Sequence, residues 1–200
     1  MFYEPAKRNH GLPHDPFKAI VAPRPIGWIT TTSAKGEINL APYSFFNGVS
    51  THPPVVMFSS EGHKDSVTNA KETGEFVCNL ATWDLREKMN ATSATFPHGV
   101  NEMEKAGLAA APSKLVKPPR VAASPCALEC RVTQVVRLEY LPGTAPETYV
   151  TFGQVVGVHI DEKFINGQGL LDSAAMKSLA RCGYQDYSVL DETFTMVRPR

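Results

Sequence analysis

The longest alternating stretch of the chain runs from Cys126 to Leu141 and predicts a strand with one wet face. Its even positions are apolar except for Gln134, whereas its odd positions include glutamate, arginine and threonine. This period of two is typical of a strand that packs one face on a core and leaves the other in water. The stretch from Tyr149 to Ile160 repeats the pattern and contains Gly153 and Gly157. Glycines inside a strand indicate a bulge, a bend or a close approach of the backbone.

Four further stretches have the composition of strands, and they bring the expected number to six. These are residues 26–32, the stretch that begins at Ile38, the apolar run 55–58 and residues 76–80. The first two are joined by a hairpin turn in which Gly36 is free to adopt a positive φ. Helices are expected only as short insertions, at about 66–73, after a cap at Thr82 or Asp84, from Asn101 to 107, and from Asp172 to Leu179. Alternating strands with short connections predict a mainly β, antiparallel fold, a small closed or half-closed barrel.

Length, charge and cysteine content narrow the class of protein. Two hundred residues suit a single domain spanning 1–200, with an irregular arm at 1–18 and a tail at 188–200. Lysine plus arginine equals aspartate plus glutamate at 20 each, which argues against a nucleic-acid or membrane surface as partner. The four cysteines form no CxxC pair, and no apolar run suits a signal peptide or a membrane span. We therefore expect a cytoplasmic chain with reduced thiols.

The stretch from Ile38 to Phe58 mixes short polar residues with aromatic rings in a way that packing alone explains poorly. Pro42 lies in the middle of the expected strand, although proline removes a donor from the ladder and suits edges and bulges. Polar groups beside aromatic rings favour a flat heteroaromatic ligand, which needs stacking surface and a few fixed hydrogen bonds. An edge strand with a bulge and ordinary core aromatics explains the same residues, so both interpretations stay open.

The step from Ser59 to Ser66 leads from a strand through a polar loop into a helix. A helix N-terminus offers free N–H groups and the positive end of a dipole, which together favour an anion. Lys64 adds charge there, and Ser59, Ser60 and Ser66 add hydroxyl donors. We expect Asp65 to cap this helix and Gly74 to end it. The alternative is a plain polar loop with a capped helix and no ligand.

Other chemical motifs are absent from the sequence. There is no Walker sequence, no GxSxG elbow and no metal-ligand spacing among His52, His63, His98 and His159, so we predict no metal site. His159 is expected on the non-core face of its strand, where contact with a ligand and a satisfied surface position are both open. No acid–base pair stands out, which favours a protein whose cofactor performs the chemistry.

Four stretches follow one another in the chain, namely PIGWITT (25–31), NLAPYSFFN (39–47), Pro53-Pro54 and Lys64-Asp65-Ser66. Together they resemble the flavin reductase-like family, the FMN-binding split-barrel proteins related to flavoredoxins and to reductase components of two-component monooxygenases. The resemblance extends from about Ala22 to Tyr187. The family often has threonine at the position of Ser66, and serine keeps the hydroxyl.

This resemblance implies a six-stranded antiparallel Greek-key split β-barrel that forms a homodimer with FMN at the interface. It implies an NAD(P)H-dependent flavin reductase, in which NADH or NADPH is the co-substrate and the chemistry takes place on the flavin. Electrons would pass to free flavin, to a partner oxygenase or to a small acceptor. The alternative is an FMN-binding electron-transfer protein, flavoredoxin-like, without its own nicotinamide site.

The resemblance also implies roles for individual residues. Short side chains of the first strand would line the flavin ring or ribityl chain, namely Thr30, Thr31 and Thr32. The next strand would hold the isoalloxazine through Ala41, Pro42, Tyr43, Ser44 and Phe45, with Asn47 supporting it. The phosphate end would lie at Lys64, Asp65 and Ser66. Arg181 would face the flavin or the partner subunit, or else is a surface arginine at a helix end. The irregular segment 93–107 would cover the flavin or the neighbouring subunit.

Overall fold

The computed structural model describes residues 1–143 and 147–199, and most regular structure in them is β. Within those ranges the strands are β1 (Arg24–Pro25), β2 (Gly27–Thr32), β3 (Ile38–Tyr43), β4 (Phe46–Thr51), β5 (Pro54–Glu61), β6 (Glu75–Leu80), β7 (Ala110–Ala111), β8 (Arg120–Val121), β9 (Cys126–Arg137), β10 (Thr148–Ile160), β11 (Leu179–Arg181) and β12 (Tyr187–Val189). The helices are α1 (Phe17–Ile20), α2 (Asp65–Thr73), α3 (Arg86–Ala91) and α4 (Glu102–Lys105), with 3₁₀ turns at Trp83–Leu85 and Glu162–Phe164.

The largest sheet has seven strands in the order β3-β2-β6-β9-β10-β5-β4, and all neighbours are antiparallel. The mainly β, antiparallel class is therefore confirmed. For this sheet the expected count of six is one short, because the stretch after Tyr43 forms a strand of its own, β4, which pairs Phe46 with Phe58. The short strands of the other sheets were not expected either. Most side chains of β4 are exposed, so this edge strand has no apolar alternation that a sequence pattern would reveal.

The two long strands predicted from alternation are β9 and β10, which pair along almost their whole length. Their register shifts at Phe152/Gly153 and again at Val155/Gly157. A β carbon on Gly153 would overlap the ring of the fully buried Phe76 and lie 3.0 Å from the β carbon of Cys130. The glycines thus mark irregularities of the ladder, and at Gly153 a close approach, as expected from their position within a strand.

A second, three-stranded sheet, β1-β11-β12, joins a strand from the first part of the chain to two strands from its last part, and in it Arg24 pairs with Arg181. The helix expected from Asp172 to Leu179 does not form. Asp172 instead accepts a hydrogen bond from the backbone N–H of Ala175 at 2.9 Å in a turn, and β11 follows. Arg181 therefore lies on a strand and not at a helix end. The expected arm also ends in helical structure, since α1 covers residues 17–20.

Strand β2 has core residues on both faces. Trp28 packs with Leu40, Met89 and Met103, and its indole N–H donates to the hydroxyl of Thr92 at 2.9 Å. Ile29 packs on the opposite side in a cluster that includes Phe58 and Phe76. The short helix α4 begins as predicted, because the side chain of Asn101 accepts from the N–H groups of Met103 and Glu104.

Among the described residues, no helix is both long and apolar enough to cross a membrane.

Candidate functional site

Two cavities adjoin each other beside the edge strand β3. The smaller has a volume of about 430 Å³ and the larger about 730 Å³, both within the range of pockets for small ligands. They share four lining residues, which are Lys18, Pro42, Ser44 and Ser93. The two cavities therefore adjoin along the wall formed by Pro42 and Ser44.

One wall of the smaller cavity is the end of β3 and the bend after it, from Ala41 to Phe45. Because β3 is the outermost strand of its sheet, Pro42 is tolerated there without loss of an interior ladder bond. Tyr43 is buried, and the centre of its ring lies 4.9 Å from the centre of the Phe58 ring. The carbonyl of Phe45 accepts from the N–H of Ser59 at 2.8 Å. The bend is thus held from behind by β5.

The facing wall is the end of β5 and the first turn of α2, with Ser59, Ser60 and the triplet Lys64–Ser66. Helix α2 begins at Asp65, so the N-cap is Lys64 and the expectation that Asp65 caps the helix is wrong. Lys64 makes no side-chain cap hydrogen bond. The first N–H groups of a helix have no partner within it. An uncapped first turn beside a lysine therefore leaves backbone donors and positive charge at this end of the cavity.

A buried polar network lies behind the two walls. The side-chain amide of Asn39 donates to the hydroxyl oxygen of Ser66 at 2.9 Å and to that of Thr31 at 3.4 Å. The amide of Asn69, on α2, also donates to Thr31, at 3.1 Å. All four residues are buried. The network thus holds the first turn of α2 against the strands β2 and β3.

The segment 93–107 covers the smaller cavity from the side. Ser93, Thr95, Phe96 and His98 are among its lining residues. His98 Nδ1 lies 2.7 Å from a carboxylate oxygen of Asp65, and this hydrogen bond raises the pKa of His98 above its usual value. Sequence reasoning named this segment as a cover and Asp65 as a site residue, but it did not connect His98 with Asp65.

Glu102 ties the same segment to the sheet. One of its carboxylate oxygens accepts from the backbone N–H of Leu40 at 2.9 Å, and burial raises the pKa of this carboxyl. Sequence reasoning missed Glu102 as a cavity residue. The only local signal is its position directly after the cap Asn101, which places it in the first turn of α4 without showing what it faces.

The larger cavity is rich in arginine. Its described lining includes Lys18, Arg24, Arg86 and Arg181, with Glu87 as the one carboxylate. Arg24 is buried, and its guanidinium donates to the carbonyls of Lys18, Val21 and, at 2.9 Å, Cys182. Sequence reasoning singled out Arg181 alone among these. Arg24 has the signal of lying between two prolines at a strand start, but its burial follows from the pairing of β1 with β11.

Comparison with known proteins assigns the family. The family description "Flavin reductase like domain" matches residues 21–177, which include both facing walls of the smaller cavity. The chain belongs to the flavin reductase-like family. An uncharacterized protein of Aquifex aeolicus is 36% identical to this flavin reductase-like chain over 173 residues, 84% of this chain and 85% of that protein.

Two solved structures are similar throughout. Nitrilotriacetate monooxygenase component B from Bacillus cereus matches with a TM-score of 0.89 and 26% identity, covering 98% of each chain. The 2-nitrobenzoate 2-nitroreductase NbaA from Pseudomonas fluorescens matches with a TM-score of 0.85 and 24% identity, covering 100% of this chain and 96% of that one. The second likeness shows the fold alone.

Of the residues that the resemblance named, the flavin reductase-like fold brings two groups together. The wall Ala41–Phe45 and the triplet Lys64–Ser66 line the smaller cavity, whereas Arg181 lines the larger one. Thr30, Thr31, Thr32 and Asn47 are not among the described residues that line either cavity.

Those four residues take other positions in this flavin reductase-like chain. Thr31 belongs to the buried network, and Thr30 accepts a hydrogen bond from Asn79 at 2.9 Å. Thr32 has a buried hydroxyl that finds no partner among residues 1–143 and 147–199. Asn47 accepts from the N–H of Gly48 at 2.8 Å on β4. Direct contact between these residues and a flavin remains a prediction.

His159 lines neither cavity in the part of the chain that the structure describes. It is hydrogen-bonded to Glu129, whose carboxylate is fully buried and also accepts from the backbone N–H groups of Lys114, Leu115 and Val116. Of the two interpretations open for His159, the structure favours a satisfied histidine. Within the described residues there is also no group of three or more histidine, cysteine, aspartate or glutamate side chains arranged for a metal ion.

Proposed function

We propose that the chain is an FMN-binding oxidoreductase of the NAD(P)H-dependent flavin reductase type. The observation that carries this proposal is the smaller cavity, where a polar and aromatic strand end faces an uncapped helix N-terminus with a lysine. Membership of the flavin reductase-like family supports the flavin as ligand. Bound FMN would supply hydride and electron-transfer chemistry, and the protein would hold it, orient it and limit the access of water.

The residues at the helix end suit the phosphate of FMN. Lys64 supplies a full positive charge, the first turn of α2 supplies backbone donors, and Ser66 supplies a hydroxyl group. The oxygen of Ser66 already accepts from Asn39, so its own hydrogen is free to point elsewhere. The helix dipole contributes roughly 0.3–1 kcal/mol at such a site, and a charge-assisted bond from Lys64 adds about 1.5–3 kcal/mol.

The residues of the strand end suit the isoalloxazine ring. Pro42 and Phe45 offer apolar surface, and the wall from Ala41 to Ser44 offers backbone groups along an edge strand that has a single neighbour. Thr31 would act through Asn39 and Ser66, and Thr30 and Thr32 would shape β2 behind the wall. Asn47 would support the bend from β4, and Arg181 would act from the adjoining larger cavity.

We further propose the assembly and setting that the resemblance implies. The chain would be a single domain whose strands β2, β3, β5, β6, β9 and β10 form a Greek-key split barrel with β4 added at the edge. It would form a cytoplasmic homodimer with FMN at the interface. A partner oxygenase is one candidate acceptor, and the likeness to component B of a monooxygenase supports it. Free flavin and a small acceptor are the others.

Spectroscopy of the purified chain with FMN tests the proposal. We expect FMN to bind and to lose its visible absorbance on anaerobic addition of NADH or NADPH. If neither nucleotide reduces bound or free flavin, the reductase assignment fails. Reduction by a protein donor without reaction with nicotinamides would instead identify a flavoredoxin-like electron carrier.

The phosphate assignment has a separate test. Lys64→Ala should weaken FMN binding about tenfold to a hundredfold and leave riboflavin binding unchanged, because riboflavin lacks the phosphate. Lys71→Ala, at the other end of the same helix, is the matched control and should change neither affinity. Equal FMN binding by the parent and Lys64→Ala would remove Lys64 from the site.

A further inference from the structure

The larger cavity has an excess of positive charge that nothing described in this chain balances. Four cationic side chains line it, against the single carboxylate of Glu87. Glu87 is itself mostly exposed, and its oxygen lies 3.5 Å from Arg86. Within residues 1–143 and 147–199, Lys18, Arg24 and Arg181 form no ion pair. This cavity is therefore electrostatically suited to an anion.

Arg24 is the buried member of this group of cationic side chains. Only 6% of the surface of Arg24 is exposed. Its terminal nitrogens donate to three backbone carbonyls, but its Nε is buried and has no hydrogen-bond partner among the described residues. A buried charge without a counter-charge is costly, and a buried donor without an acceptor adds to that cost. A bound anion beside Arg24 would supply the missing counter-charge.

The other two arginines are held in position by aromatic rings. The guanidinium of Arg86 lies 4.0 Å from the ring centre of Trp83, and that of Arg181 lies 4.4 Å from the ring centre of Tyr187. Arg181 also donates to the carbonyl of Tyr184 at 2.6 Å. Arg86 likewise donates to the carbonyl of Trp83, at 2.9 Å. Stacking and one backbone hydrogen bond therefore fix each guanidinium group and leave further N–H donors available.

The same residues provide a surface for a planar ring. Trp83, Tyr184 and Tyr187 all line the cavity and are each more than a third exposed. Exposed aromatic side chains beside arginine donors suit a ligand that is flat at one end and anionic at the other. The wall of Pro42 and Ser44, shared with the smaller cavity, would place that ligand next to the flavin.

We propose that the larger cavity binds a small aromatic carboxylate, with Arg24, Arg86 and Arg181 as its anion-binding group. The binding itself does not require flavin, and only its place beside the cofactor rests on the proposed function. A nicotinamide dinucleotide also combines an anionic group, its diphosphate, with planar rings. The experiment below distinguishes an aromatic carboxylate from such a nucleotide.

Calorimetric titration with benzoate and with benzamide, its uncharged counterpart, tests the charge requirement. We expect benzoate to bind the FMN-loaded chain and the flavin-free chain, and benzamide to bind at least about tenfold more weakly to both. Arg181→Gln and Arg86→Gln should each weaken benzoate binding about tenfold and leave benzamide unchanged. Arg137→Gln, which alters an exposed arginine paired with Glu147 outside the cavity, should change nothing.

Arg24→Lys would also break the hydrogen bonds that Arg24 donates to three backbone carbonyls, and so the test uses Arg86 and Arg181, which are half-buried. Equal affinity for benzoate and benzamide overturns the proposal, as does unchanged benzoate binding in both glutamine variants. Binding of nicotinamide mononucleotide or inorganic phosphate without benzoate would also overturn it and would identify a phosphate subsite. If the chain binds benzoate but not FMN, the proposed function fails and this inference stands.

Discussion

Asn39 donates its side-chain amide to the hydroxyl oxygen of Ser66 across 2.9 Å, and this bond joins the edge strand β3 to the first turn of α2. The two residues are buried and lie on the facing walls of the smaller cavity. The oxygen of Ser66 accepts from Asn39, and the hydroxyl keeps its own hydrogen for donation to another acceptor. Asn39 therefore restricts the rotation of the Ser66 hydroxyl group.

Asn39→Ala should reduce the affinity for FMN more than that for riboflavin. The variant frees the Ser66 hydroxyl to rotate, so a bond to the phosphate is no longer preorganised. We expect the dissociation constant for FMN to rise about tenfold, equivalent to about 1.4 kcal/mol, with riboflavin affected less. Fluorescence titration of both flavins measures the difference.

The control for this variant is Asn79→Ala. Asn79 is a buried asparagine on β6 that donates to Thr30 and to the backbone of Trp28, and it lines neither cavity among the described residues. The Asn79→Ala variant should be less stable than the parent chain but should keep its preference for FMN over riboflavin. If the two variants shift that preference equally, Asn39 contributes only to folding.

His98 and Asp65 should make the docking of the segment 93–101 dependent on pH. The hydrogen bond to Asp65 raises the pKa of His98 above 6.5. The charged pair is therefore fully present below pH 6.5 and is lost as the pH rises through the raised value. Hydrogen exchange, corrected for its intrinsic pH dependence, should show less protection of this segment at about pH 8 than at about pH 6. His98→Asn should abolish the difference; a difference that persists in the variant contradicts the assignment.

Glu129 should contribute stability that is lost in acid. Burial opposes its ionisation, but hydrogen bonds from His159 and from the N–H groups of Lys114 and Leu115 outweigh burial and lower its pKa below 4.5. The contribution is present above pH 4.5, the value in the unfolded chain, and disappears as the pH falls from there through the folded value. Glu129→Gln should therefore flatten the acid limb of the unfolding free energy, measured by urea denaturation.

The same variant should cost about 2–3 kcal/mol near neutral pH, because backbone donors lose a charged acceptor. Glu75→Gln is the comparison, since Glu75 accepts one exposed hydrogen bond, from the N–H of Lys117, which directly follows the residues 114–116 that donate to Glu129. We expect it to cost less than about 1 kcal/mol. Equal costs for the two variants would show that the buried carboxylate has no special role.

Gly153→Ala should destabilise the sheet by about 1–3 kcal/mol. A methyl group at this position would overlap the ring of Phe76, which is fully buried, so the ring or the strand would have to shift. Gly48→Ala is the matched control, because a β carbon on Gly48 meets nothing within 4 Å. Urea midpoints of the two variants decide the matter, and similar midpoints would contradict the close approach.

Much of the fold followed from local pattern. Alternation predicted β9 and β10, glycine positions predicted their irregularities, and the cap at Asn101 predicted the start of α4. Turn chemistry predicted the β2–β3 hairpin, where Gly36 has a φ of 89°. The exposed strand β4 was not predicted, because apolar spacing does not show how an exposed edge strand pairs. The helix after Asp172 was predicted wrongly, because apolar spacing does not distinguish a turn from a short helix.

The site divides in the same way. The sequence by itself determined the family and the two stretches that face each other, Ala41–Phe45 and Lys64–Ser66, because their residue types and order are local properties. Only the tertiary structure decided that Asn39 orients Ser66, that Thr31 lies behind the wall, and that Arg24 is buried beside Arg181. These relations join residues far apart in the chain, and they depend on strand pairing and packing, which no local spacing specifies.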